Sequence, residues 1–213
     1  MSGTQPSSTR DLIEVILGYG LIVGVIWMPD LPQRIASPIV LIFTLAVVVA
    51  RWPTRNELGL GRRGLVPSLW ILPAAIVIAG VSMLVARRLG TLHPLFNGDL
   101  QHITGYILWT LYQQFLLNDY FLPRLIRLIG NENIAVGLTG VLFALAHLPN
   151  LALTAATLVW GVVSCALFRR YRNLYALGLA QGLLGLCFAV CVPDALHHHL
   201  RVGLGYLRYH GTQ

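Results

Sequence analysis

The feature that most constrains this chain is a series of apolar runs, several of which approach or reach the ~20 residues that cross a bilayer. They cover residues 12–27, 35–50, 65–86, 102–122, 134–148, 151–168 and 174–192. Inside hydrocarbon a backbone must satisfy its own hydrogen bonds, and a helix does so within one segment. The expected fold is therefore all-α, a polytopic transmembrane helix bundle of about seven spans. Only 11% of the residues are charged, against about 25% in an ordinary soluble domain. Met1 to Ser8 is polar, and no short apolar region ends in a small-residue cleavage site, so no cleavable signal peptide is expected.

The runs divide the chain into a polar N-terminal tail (1–10), three N-terminal helices with their loops (11–101), a core of helices (102–193) and a polar C-terminal tail (194–213). All fifteen basic residues are arginine. They are spread over many short loops, which argues against a nucleic-acid surface and for a topology signal. With seven spans, ten arginines fall on the N-terminal side and five on the other. That bias predicts a cytoplasmic N-terminus. A short, lysine-free chain points to a bacterial inner membrane. Cys165, Cys187 and Cys191 all lie in apolar segments, where they read as small packing residues and not as a disulfide framework or metal set.

Within this frame the informative stretch is Trp109 to Leu125. It starts as an apolar helix, carries Gln113, Gln114 and Asn118, and leaves the membrane through Asp119, Pro123 and Arg124. Polar groups at membrane depth cost free energy unless they are paired. Helical spacing puts Gln114 and Asn118 on one face, and His147 on the face of Phe143. Gln181 lies in mid-span among small residues that permit close helix approach. Each of these alone reads as an interhelical hydrogen bond. Asp119, one position past Asn118 and about 100° round an α-helix, reads as interfacial. Glu14 in the first span has no evident motive. The eight acids sit in loops or near span ends.

Taken together, Gln113-Gln114-Phe-Leu-Leu-Asn118, Phe143-Ala-Leu-Ala-His147 and Gln181-Gly-Leu-Leu-Gly185 resemble the three motifs of the CPBP family. This is the family of CAAX prenyl endoproteases and bacteriocin-processing intramembrane proteases. Its motifs are Glu-Glu-x-x-x-Arg, Phe-x-x-x-His and His-x-x-x-Asn/Asp. Order and spacing match over roughly residues 105–190. Phe121-Leu-Pro-Arg124, His147-Leu-Pro-Asn150 and Arg172-Asn-Leu-Tyr-Ala-Leu177 add to the likeness. The resemblance implies endopeptidase cleavage of membrane-associated peptides or prenylated proteins. In the family a glutamate of the first motif activates water. The histidines polarise the carbonyl, steady the oxyanion or, in the older view, bind a metal.

Residue by residue, Gln113 and Gln114 stand at the glutamates and Asn118 at the arginine. Phe143 and His147 match. Gln181 stands at the second histidine and Gly185 at the Asn/Asp. A carboxamide keeps the size and hydrogen bonding of a carboxylate but has no accessible basic pKa, so it cannot be the general base. Nor can Gln181 act as an imidazole does. Two readings follow. One is an intramembrane endopeptidase with degenerate motifs. The other is a non-catalytic pseudoprotease that binds a peptide, a lipidated tail or a partner protein in the old cavity. A small transporter finds no support in repeats or discontinuous helices. The expected partners are the lipid bilayer and a membrane-associated peptide or protein. No cofactor is expected: zinc could be considered at His197–His198–His199, or at His147 with a tail histidine, and adjacent histidines in a polar tail rarely form a preorganised site.

Overall fold

The computed structural model describes residues 6–51, 53–95 and 98–209. Among the described residues the secondary structure is helical throughout. Helices α1 (Pro6–Ile26) and α2 (Asp30–Val49) form an N-terminal pair. A 3-10 turn (Arg62–Gly64) and the short α3 (Leu65–Ser68) lead into α4 (Ile71–Leu89). Next come α5 (Leu100–Phe115), a π-helical turn (Leu116–Phe121), α6 (Leu122–Ile129), α7 (Glu132–Leu145), α8 (Leu151–Tyr171) and α9 (Leu174–Cys191). Two short helices, α10 (Asp194–His197) and α11 (Gly203–Leu207), close the chain.

The sequence sets several helix starts through Asx side chains, which satisfy the otherwise orphaned first N–H groups. Asp99 accepts from His102 N, Asn131 from Asn133 N and Ile134 N, Asn150 from Leu153 N, and Asn173 from Ala176 N. At the far end of α6, Gly130 takes a left-handed φ of 71°, the usual C-terminal stop.

Five of the expected apolar runs each coincide largely with one helix, while 65–86 is divided between α3 and α4 and 102–122 runs through α5 and the π turn. Four of these helices, α2, α4, α8 and α9, are long and apolar enough to cross a membrane. The other three differ for visible reasons. Helix α1 carries Arg10, Asp11 and Glu14. Helix α5 stops at Phe115 and passes into the π turn. Helix α7 has only 14 residues. Helix α2 already begins at Asp30, ahead of the apolar run 35–50, because Pro32 sits where a missing N–H costs nothing.

Helix α7 packs along α8, while α4 and α5 pack on α9. Small residues let the first pair approach closely: a methyl group at Gly161 would lie 3.0 Å from Gly140 Cα, and one at Gly140 would lie 3.0 Å from Val162 N. The core gathers around the π turn, whose Leu117, Tyr120 and Phe121 meet Leu125, Ala135, Phe168 and Leu177. Helix α2 is the least enclosed of the four long helices; Leu31, Ile35, Ile39 and Ile42 project outward as a lipid-facing helix should.

One end of the bundle carries an ion cluster. Asp11 accepts from Arg51 Nη2 at 2.6 Å and from Arg127 Nε at 2.7 Å. Glu14 accepts from Arg10 Nε at 2.7 Å, Arg51 Nη2 at 2.8 Å and Arg124 Nε at 2.7 Å. Tyr120 Oη donates to Glu14 O, and the Arg124 guanidinium lies over the Tyr120 ring. Glu14 thus gains the motive that the sequence left open: it ties α1 to α6. Asp11 and Glu14 are both buried, so these two acids are enclosed helix residues and not merely span-end groups. Arg172 reaches Glu57 O, and Arg169 pairs with Glu132. The opposite end joins Thr91 to Cys191 O, His93 to Val192 O, and Gly203 N to Leu148 O. The connections therefore sort into two faces.

The N- and C-terminal tails depart from expectation. Helix α1 already includes residues 6–10, while residues 1–5 lie outside the described residues. Residues 194–209 fold back on the bundle. Asn150 Nδ2 donates to His197 O at 2.9 Å and to Arg201 O at 3.0 Å, and His197 is 1% exposed. A polar composition concealed this, because the segment docks through backbone carbonyls and stacked rings. His198 stacks on Tyr206 and Tyr209.

Candidate functional site

A cavity of about 820 Å³ opens between α1, α2, α4, α5, α7, α8 and α9. Its wall is mainly apolar and aromatic, including Tyr19, Tyr106, Trp109, Tyr112, Phe143 and Trp160. Of the seven positions matched to the motifs, Gln113, Phe143, His147, Gln181 and Gly185 line it. Gln114 and Asn118 do not reach the cavity; they lie behind its wall, each 0% exposed. The motif residues come together through the packing of α5 and α8 on α9, with α7 against α8.

The carboxamides form a chain that runs in one direction. Asn118 Nδ2–H donates to Gln114 Oε1 at 2.8 Å. Gln114 Nε2–H donates to Gln181 Oε1 at 2.6 Å. Trp160 Nε1–H donates to the same Gln181 oxygen at 3.1 Å. Gln181 Nε2–H then donates to Gln113 Oε1. Every side-chain oxygen in the run from Gln114 to Gln113 accepts a hydrogen bond, and the chain ends on the cavity wall at Gln113. This arrangement requires amides. A carboxylate at 114 has no N–H for Gln181 and would set oxygen against oxygen where no water reaches.

His147 sits in the turn just past the C-terminal end of α7, and its Nδ1 lies 2.7 Å from Phe143 O. A carbonyl can only accept, so Nδ1 carries the proton and Nε2 of the neutral ring is left as an acceptor. The Phe143 ring meets the imidazole edge to face. Gly185 leaves room for Tyr106: a methyl group there would collide with the tyrosine hydroxyl. Tyr106, not an Asn or Asp, therefore fills this part of the wall.

The structure corrects the placement of Asp119. The π turn puts an extra residue into the helical repeat, so the 100° offset of an α-helix does not apply. All six residues of the turn, Asp119 among them, are buried. Asp119 is therefore an enclosed carboxyl and not an interfacial one, and it does not line the cavity. Nor does the donor set suit a metal. Among the described residues His147 is the only imidazole on the cavity wall, and the carboxamides are engaged with one another. Among the described residues no group of three His, Cys, Asp or Glu side chains is placed to hold a metal ion. In the C-terminal segment, burial alone would raise the Asp194 carboxyl. The hydroxyl of Tyr209 at 2.6 Å and the His199 N–H at 2.7 Å outweigh it and hold the group below the usual carboxylate range.

Two wall residues were not singled out from the sequence. Trp160 lies in an unbroken apolar run and gave no signal. Tyr106 precedes Gln113 by seven residues, two turns on the same helix face, so periodicity could have flagged it.

No curated protein and no solved structure matches the chain. Residues 100–187 match the family model described as Type II CAAX prenyl endopeptidase Rce1-like. That stretch runs from the first turn of α5 into α9 and contains all three motif positions. Through that segment, which is less than half of its length, the chain is similar to the CAAX-protease (CPBP) family of membrane proteins.

Proposed function

We propose that this protein is a non-hydrolysing member of the family, which holds a membrane-associated peptide or lipidated tail in the cavity between its helices. The observation that carries this reading is the directed amide chain. Apart from His147 and Gly185, each position where the family places a charged or titrating group is occupied by a carboxamide, and these carboxamides hydrogen-bond to one another. Water activation needs a proton acceptor of suitable pKa within reach, and an amide is none. The same neutral groups suit the recognition of backbone amides, and a largely apolar wall suits an aliphatic or isoprenoid chain. The excess of arginines on one set of loops supports a cytoplasmic N-terminus, with seven crossings of the bilayer.

The family match favours a second reading, endopeptidase activity with Gln113, Gln114, Asn118, Phe143, His147, Gln181 and Gly185 as the site. Purified protein in liposomes, presented with a panel of membrane-associated and prenylated peptides, separates the two. The binding reading expects peptide retention without new termini, and loss of retention in His147→Ala. Cleavage that disappears in His147→Ala would overturn it. A Gln114→Glu/Gln181→His variant tests whether the scaffold can regain hydrolysis once the base and imidazole return.

A further inference from the structure

Resting on the binding reading above, the hydrogen-bond directions also specify the head of the ligand. The amide chain ends at Gln113, whose Oε1 is taken by Gln181. Its Nε2 has no protein partner among the described residues and sits on a residue that lines the cavity. His147 lines the same cavity, and with Nδ1 committed to Phe143 O it presents Nε2 as an acceptor. Beside the hydroxyls of Ser37, Ser82, Thr157 and the lining tyrosines, these two side chains thus offer one amide donor and one imidazole acceptor. Among the described residues no carboxylate, arginine or lysine lines the cavity. A charged head would lose its hydration there without a counter-charge to offset the loss. A phosphate or ammonium head therefore has no counter-charge, and a hydrocarbon head would leave both groups unpaired.

We propose that the cavity selects amphiphiles whose head is a neutral secondary amide. The ligand carbonyl accepts from Gln113 Nε2–H, the ligand N–H donates to His147 Nε2, and an acyl or alkyl chain lies along the apolar wall. Peptide units inside a chain and N-acyl linkages have this chemistry. A free C-terminal carboxylate does not.

The test is photocrosslinking in nanodiscs with the N-methylamide of a diazirine-bearing fatty acid. Competitors of matched chain length carry an N-methylamide, carboxylate, methyl ester or trimethylammonium head. The expected result is labelling of cavity-lining peptides, with the amide competing at a concentration about tenfold or more below the charged heads. Gln113→Leu and Gln113→Glu should each erase the preference while circular dichroism stays unchanged. Equal competition by all heads would leave the binding reading standing and overturn the head-group assignment. Carboxylate competing best, with affinity rising at acid pH, would also overturn it, because His147 would then act as a protonated donor. Absence of cavity labelling by any probe would remove the binding reading itself.

Discussion

Replacing Gln181 by Leu probes whether the amide chain holds the bundle as its geometry implies. The side chain makes three hydrogen bonds, to Gln114, Trp160 and Gln113. Interhelical hydrogen bonds in membranes average about 0.6 kcal/mol each and reach about 1.7. Three of them come to about 2 kcal/mol. Gln113 can turn its freed oxygen toward the cavity, but Gln114 Nε2 is sealed in a residue of 0% exposure. Its stranding adds about 1 kcal/mol, the lower end for a buried unsatisfied group. The expected cost is therefore about 3 kcal/mol, measured by reversible unfolding in mixed micelles. Gln113→Leu, which removes one bond at the cavity edge, should cost about 0.6 kcal/mol. In a double-mutant cycle, Gln114→Leu/Gln181→Leu should cost less than the two single changes together, because each partner removes the other's stranded group. The reasoning is refuted if Gln181→Leu lies within about 0.5 kcal/mol of the parent or if the cycle is additive within that margin.

Other expectations follow from the packing and the ion cluster. Glu14→Gln leaves Arg124, 1% exposed, without its carboxylate, and should cost about 3 kcal/mol in the same unfolding assay. Arg124→Met should cost less, because Glu14 keeps Arg10 and Arg51. Gly161→Ala drives a methyl group onto Gly140 Cα and should destabilise the α7–α8 pair by about 1–3 kcal/mol; an unchanged unfolding midpoint would count against close α7–α8 contact. The lowered pKa of Asp194 has a definite sign. Its contribution is present above the unfolded-state pKa and is lost as pH falls through the folded-state value. Amide protection factors in residues 199–209, corrected for the intrinsic pH dependence of exchange, should therefore fall under acid, and Asp194→Asn should already show low protection at neutral pH and respond less to acid.

Much of this arrangement is written in local sequence. Apolar runs of sufficient length can only be helices in a membrane, and Asp99, Asn131, Asn150 and Asn173 mark helix starts without reference to the rest of the molecule. The pairing of Gln114 with Asn118 is likewise an i, i+4 relation within one segment. The motif spacing carried the family, and the loss of its charged residues could be read from residue type alone. Tertiary structure decided what lies across helices. It alone set Gln181 between Gln113 and Gln114, gave the amide chain its direction, brought Trp160 to its oxygen and put Tyr106 in the space left by Gly185. It also turned Asp119 inward through the π turn, enclosed Glu14 among arginines and folded the C-terminal segment over one end of the bundle. Periodicity says which face of a helix is polar. Which partner meets that face depends on helix–helix packing between residues far apart in the chain, and no local pattern encodes it.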